Sequence, residues 1–443
     1  MRQIASSAPQ VLDIGPAPEQ TPAIQERVNA KSLIAVTLGN GIEIYDFAVY
    51  SFFSVIIGHL FFPSDNNYVS LLLAVATFGV GFVMRPLGSI ILGNYTDKHG
   101  RRAGMTLIMG LMALGVMLVA FAPTYDQVGI FAPIILLVGR LIQGFSAGGE
   151  VGASTSWLME AGDKSRRGSR VSWQMTSQGA AALIGAGMGT GLTYALSQEA
   201  LYDWGWRIPF ILGLMIMPIG MYIRRTLPET HQTEKVVKKE SSARTVWREH
   251  RRALILGIFL LMKGTTTFYI IVYYMPAYMV NTLHMPAKMS WWVSLMAAVL
   301  TLLVPWFGGK LADRLPRRKP LMVVSFVLSL LLIWPIFASI LNQMPLALTL
   351  SLIAIDQILA NVCTVVFFLL LLEAFPRKVR ASGLSMVYAI SVTLFGGFAQ
   401  FNVTWLLKVT EDAMTPAWYL MFCSVISLIA LLGWKENRSL ANE

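Results

Sequence analysis

The sequence predicts an all-α membrane protein with twelve transmembrane helices in two six-helix bundles, and three observations carry that expectation. Hydrophobic residues make up 55% of the chain against 13% charged residues, too little charge to cover a water-soluble surface. Twelve long apolar runs recur along the 443 residues, each near the ~20 residues a helix needs to cross a hydrocarbon core. A glycine, aspartate and arginine motif stands at corresponding places in the two halves.

The runs lie at residues 31–61, 67–95, 103–122, 128–158, 170–197, 205–225, 253–280, 290–312, 320–341, 346–373, 381–409 and 415–434. Helices are required there, because only internally paired backbone survives in lipid and the alternation of a barrel strand is missing. Residues 1–30, rich in Pro, Gln, Ala and Ser and lacking a signal-peptide core, read as a disordered cytoplasmic tail. Residues 31–226 then form the first bundle, 227–252 a polar cytoplasmic linker with short amphipathic stretches, 253–435 the second bundle, and 436–443 a cytoplasmic tail.

Lysine and arginine set the orientation, since positive charge is retained in cytoplasmic loops. Alternate loops carry Lys98, Arg101 and Arg102, then residues 164–170, 224–252, 314–319, 377–380, and Lys435 with Arg438. The opposite loops carry Asp65, Asp126, Glu199, Asp203, Glu411 and Asp412, with Lys288 as their clear cation. Both termini are therefore expected in the cytoplasm. The formal charge of +11 is spread over these short clusters, which argues against a nucleic-acid partner. Cys363 and Cys423 lie inside apolar runs and indicate no disulfide framework.

The repeated motif reads Gly93, Asp97, Gly100, Arg101 and Arg102 after the second run, and Gly308, Gly309, Asp313, Arg317 and Arg318 after the eighth. Its two aspartates are 216 positions apart. Such parallel repetition predicts a two-bundle transporter holding its substrate near the midplane. In it, Asp97 and Asp313 can cap neighbouring helices, and Arg101, Arg102, Arg317 and Arg318 can bridge to carboxylates when that side is closed. Arg85 is expected in the same gate network.

The motif pair resembles the signature loops of the major facilitator superfamily. Further residues resemble its metabolite:proton symporter family: Gly39, Asn40, Glu43, Tyr45, Asp46, Phe47 and Tyr50 in the first run, Arg85, Pro86 and Gly88 in the second, Gly139, Arg140, Gln143, Gly144 and Gly148 to Glu150 in the fourth, Trp206 to Phe210, and Phe395 to Gly397. The stretch from Thr265 to Tyr269 and the run around Phe395 are most similar to the citrate and tricarballylate carriers. The resemblance implies proton-coupled import of a small carboxylate across a bacterial inner membrane by a monomer. It needs no cofactor beyond the proton gradient, and its partners are protons, the bilayer and an organic anion or zwitterion. A proton-driven exporter of a carboxylate or siderophore-like compound, and a zwitterionic osmolyte symporter, stay open.

Ionisable side chains at bilayer depth are costly and face a cavity or a partner. Glu43, Asp46, Arg85, Arg140, Glu150, Lys263 and Asp356 are such residues. Helical spacing puts Asn40, Glu43, Asp46 or Phe47, Tyr50 and Ser54 along one face of the first run. Asp46 lies about 22 Å and Arg140 about 16–18 Å along their helices, so the two can meet. Asp46 is read as the main proton carrier, Arg140 as its switchable counterion that also binds substrate, and Glu43 as a second titrating site; a fixed salt bridge is the alternative. Glu150 either relays protons or neutralises Arg85 or a loop arginine. Lys263 and Asp356 depart from the citrate carriers, and either pair with each other or read opposite charges on the substrate. Tyr50, Gln143, Gln174, Gln178, Thr266, Thr267 and Tyr269 complete the candidate substrate site, with hydrogen bonding between helices as the alternative for Gln174 and Gln178. The five histidines sit at loops or run ends and support no enzymatic or metal centre.

Overall fold

The computed structural model describes residues 30–99, 101–160, 163–225, 242–285, 287–376 and 379–436. The expected tails, apart from Ala30 and Glu436, and most of the expected linker lie outside them. Among the described residues, helical segments that continue one another group into twelve rods. In chain order they are Ala30–Phe52 with Ser54–Phe61; Asn67–Val83 with Arg85–His99; Arg101–Ala120; Phe131–Ser146 with Glu150–Glu160; Arg167–Ala195; and Arg207–Arg225. After the gap come Arg251–Thr267 continuing to Asn281; Ala287–Arg314; Lys319–Leu341; Leu346–Glu373; Arg380–Ser391 continuing to Thr410; and Thr415–Gly433. They are called the first to twelfth spans below, and the end bearing the arginine-rich connections is called the basic end.

Seven of the described helices are long and apolar enough to cross a membrane, or eight when the first span, bent by 65° at Phe53, counts as one. Thr106–Ala120 and Phe131–Ser146 are apolar but shorter. The bilayer thickness explains why the rods match the apolar runs closely, because each helix must persist until its ends reach polar surroundings.

Small residues let the spans approach. A Cβ on Gly144 of the fourth span would lie 1.6 Å from the Gly81 carbonyl oxygen of the second, so the two backbones touch there. That crossing brings Arg85 and Arg140 onto neighbouring levels. Between the halves, the fifth span runs along the eighth: Gly168 meets Gly309, Gly179 meets Leu302, and Gly189 meets the Trp291 ring. The second span meets the eleventh where Phe82 lies on Gly397 and Thr393 donates 3.0 Å to the Phe82 carbonyl. Both ends of the interface are thus in contact, and the conformation is closed.

Three short stretches, Leu201–Gly205, Phe268–Tyr274 and Val392–Gly397, wind as π-helix. Such wide turns rotate the side chains that follow and recur at functional sites. The two in the seventh and eleventh spans lie against each other, with Gly396 packed on Thr265 and Tyr269. Between the halves, Ser242–Glu249 forms a short helix with Val246 buried and Trp247 exposed.

Gly144→Ala forces a methyl group into the Gly81 carbonyl and should destabilise the protein by about 3 kcal/mol or more. The drop in unfolding temperature of the detergent-solubilised protein measures it. Gly110→Ala, whose Cβ meets nothing within 4 Å, should leave that temperature unchanged.

Candidate functional site

Four charges converge inside the first half. Arg85 donates from Nη2 to Glu43 Oε1 at 2.8 Å, and Arg140 from Nη1 to Asp46 Oδ2 at 2.8 Å. All four side chains are at most 3% exposed. The face of the first span therefore fans out over three others: Asn40 donates to Ser177 of the fifth, Glu43 and Asp46 meet arginines of the second and fourth, and Tyr50 donates to the Ala74 carbonyl of the second.

Aromatic rings form the shell of both guanidiniums. The Phe47 ring lies 4.8 Å from Arg85 Cζ and 4.7 Å from Arg140 Cζ, Tyr50 lies 4.2 Å from Arg140 Cζ, and Phe82 lies 4.4 Å from Arg85 Cζ. Such cation–π contacts contribute about 2 kcal/mol each when desolvated and offset part of the cost of burying charge at this depth. Gln143 accepts a hydrogen bond from Arg140 Nη1 and holds the guanidinium from its own helix.

Several buried donors remain without a protein partner. Arg140 Nε and Nη2, Arg85 Nε, Gln143 Nε2 and Gln174 Nε2 are among them, as is the acceptor Asp46 Oδ1. Unsatisfied buried polar groups are rare and costly, so each marks a place where a water or ligand atom belongs. The donors outnumber the acceptors, which suits an oxygen-rich anion.

The second half supplies the facing wall. Tyr269 packs its ring 5.9 Å from Phe78 and 5.6 Å from Phe82, and Tyr273 sits 5.3 Å from Phe52. Gln178 approaches Tyr388 of the eleventh span at 3.5 Å, and Tyr388 also lies beside Arg85. Gln174 sits 3.4 Å from Ser154 Oγ.

Other expected site residues are placed elsewhere. Lys263 and Asp356 lie inside the second half, away from the interface. Asp356 accepts from Ser329 of the ninth span, and Lys263 Nζ stands 5.1 Å from the Phe326 ring centroid. The two charges are within electrostatic reach but not in ion-pair contact. Thr266 turns toward Cys423 of the twelfth span, and Thr267 is buried with its hydroxyl unpartnered. Arg85, expected in the gate, is engaged with Glu43 in the interior. The side chains of Asp97, Arg101, Arg102 and Glu150 lie outside the described residues.

At the basic end, Asp313 caps the fifth span across the interface. Its carboxylate accepts from the Gly168 and Ser169 amides at 2.6 and 3.0 Å and from Ser169 Oγ at 2.7 Å, satisfying donors that a helix start leaves free. Arg380 and Glu160 form a second link at 2.9 Å, and Arg318 pairs with Glu373 within the second half, while Arg317 is exposed. Glu160 and Arg380 escaped the sequence reading because they sit among loop charges that any membrane protein needs for orientation. At the opposite end Gln400 donates to Ser51 at 2.6 Å. Among the described residues no three His, Cys, Asp or Glu side chains are grouped to hold a metal ion.

This fold, with charges buried between helices that touch across an interface, defines a multi-pass membrane transporter. The chain matches the Major Facilitator Superfamily over residues 38–400 and belongs to that superfamily. It is therefore a transporter and not an enzyme. It is 35% identical over 402 residues to the citrate-proton symporter of Klebsiella pneumoniae, covering 90% of each chain. It is 32% identical over 413 residues to the alpha-ketoglutarate permease of Escherichia coli K12, covering 92% of this chain and 94% of that one. The proline/betaine transporter of the same strain is 32% identical over 420 residues, 92% of this chain and 83% of the other. Among solved structures, a D-xylose-proton symporter superimposes with a TM-score of 0.72 at 18% identity over 92% of this chain and 97% of that one, a likeness of fold.

Removing the Asp313 cap should loosen the basic end. In a background lacking Cys363 and Cys423, the Tyr388→Cys thiol should react at least about threefold faster with a water-soluble reagent once Asp313→Ala is added. An unchanged rate would mean that the cap does not hold the halves together.

Proposed function

We propose that the chain is a proton-coupled symporter that imports a small carboxylate across a bacterial inner membrane by alternating access. The observation that carries the reading is the set of buried, unpartnered donors on Arg140, Arg85 and Gln143 beside a carboxylate pair. The citrate-proton symporter and alpha-ketoglutarate permease relatives support the substrate class. The basic end is taken as cytoplasmic because arginine and lysine are retained there, which puts both termini on that side. Residues 31–226 and 253–435 are taken as the two bodies that rock, within a monomer.

In the resting pair Arg140 is the counterion of Asp46. A substrate carboxylate entering the site engages the free Nε and Nη2 of Arg140 and draws the guanidinium away, so Asp46 becomes a buried carboxylate without its counterion. Uptake of one proton on that carboxylate then costs less than leaving it charged. Loaded and protonated, the halves close at the outer end through Gln400 with Ser51 and open at the basic end, where Asp313 releases Gly168 and Ser169. Loss of the proton to the cytoplasm restores the Asp46 carboxylate, which reclaims Arg140 and expels the substrate. Glu43 with Arg85 is a second pair of the same chemistry. Each negative charge carried inward against 100 mV costs about 2.3 kcal/mol, so co-transported protons are needed to bring in an anion.

A zwitterionic osmolyte is the second reading. The aromatic shell of Phe47, Tyr50, Phe78 and Tyr269 can receive a quaternary ammonium while Arg140 takes the carboxylate, and the proline/betaine relatives fit it. A thermal-shift screen separates the two: di- and tricarboxylates should raise the unfolding temperature of the purified protein, and betaine or proline should not. The reverse pattern favours the osmolyte.

In liposomes, Asp46→Asn should abolish accumulation driven by a pH gradient while retaining substrate exchange. Accumulation with unaltered pH dependence would remove Asp46 from coupling.

A further inference from the structure

The interval that relates the two halves carries a second consequence for the charges. Asp97 and Asp313 stand 216 positions apart, and so do Arg140 and Asp356. The same interval takes Asp46 to Met262, next to Lys263. At the positions that this interval relates, the first half therefore has an acid on its first span and a base on its fourth, and the second half a base and an acid; Glu43 and Glu150 have no charged counterpart at that interval. Both couples are buried, Lys263 and Asp356 each at 2% exposure.

We propose that Lys263 and Asp356 form a second proton-exchanging couple, the charge-inverted counterpart of Asp46 and Arg140. The two couples differ in closure. Arg140 and Asp46 touch at 2.8 Å. Asp356 instead leans on the Ser329 hydroxyl, and Lys263 lies over the Phe326 ring with no ion-pair contact. With a hydroxyl in contact and its cation only at a distance, the Asp356 carboxylate is less fully compensated than Asp46, which touches its arginine.

Among the described residues Lys263 of the seventh span is the charged group that acts on Asp356; the ninth span offers Ser329 and Phe326, the eighth Thr301, and Asp356's own helix Gln357, Asn361 and Cys363. A polar route leads from this couple toward the interface between the halves. Gln357 has an unpartnered Nε2, and Asn361 one turn on donates 3.3 Å to Thr301, whose backbone abuts Gly179 of the fifth span. The step is one O–H bond: Asp356 takes a proton from water on one side and returns it to water on the other. With Asp46 it gives two protons for one dianionic carboxylate, so the inward step moves no net charge.

The inference rests on the proposed symport, and the pH gradient that just balances a fixed substrate gradient in liposomes, which reads the proton number, separates the two. With the substrate that the thermal-shift screen selects, Asp356→Asn, which keeps an acceptor for Ser329, should lower the proton-to-substrate ratio by one. The charge-free pair Lys263→Gln with Asp356→Asn should transport at that same lowered ratio. Asp356→Glu, the variant least prone to misfold, should transport with a displaced pH profile. A wild-type ratio in the double variant, or an undisplaced profile in Asp356→Glu, would make the couple a structural pair and overturn the proposal. If Asp46→Asn also leaves coupling intact, the symport reading itself fails; if only Asp46→Asn alters it, the second couple alone is lost.

Discussion

The 2.8 Å contact between Arg140 and Asp46 is the interaction on which the rest of this molecule depends. Neither charge is tolerable alone at bilayer depth, and together they leave donors unspent. The surrounding architecture follows from keeping that pair buried yet exchangeable. Glycines at 81 and 144 bring the second and fourth spans close enough for Phe47 to touch both guanidiniums. Tyr269 of the seventh span then packs from the opposite half on Phe78 and Phe82, rings of the shell around the two arginines.

Closure is distributed along the interface. The Asp313 cap and the Arg380–Glu160 link hold the basic end, and the Gln400–Ser51 hydrogen bond holds the other. These polar links sit on an interface that is also packed, with Gly179 on Leu302, Gly189 on the Trp291 ring and Gly397 on Phe82, so rocking must part apolar contacts at one end while those at the other are kept.

Much of this was legible in the residues. Span limits were, because hydrocarbon thickness fixes them: the run at 253–280 became Arg251–Asn281. The meeting of Asp46 with Arg140 was legible from depth alone. Which face a charge takes was not. Periodicity put Lys263 with Thr266 and Thr267, but could not say that this face turns toward the ninth and twelfth spans, since those spans present serines and a phenylalanine that look like ordinary lipid-phase residues. The π turn at Phe268–Tyr274 was also invisible, because it arises from packing against Gly396 and not from a local propensity. The partner of Arg85, Glu43, stands 42 positions earlier on another span, a pairing that position along the chain does not reveal.

Substrate binding and proton uptake must be one event if Arg140 leaves Asp46 to grip a carboxylate. The direct measurement is the pH change of a weakly buffered solution of purified protein on adding a saturating carboxylate. Uptake of protons in proportion to bound substrate, lost in Asp46→Asn, is the predicted result. Saturable binding by the unmodified protein with no proton taken up would contradict it.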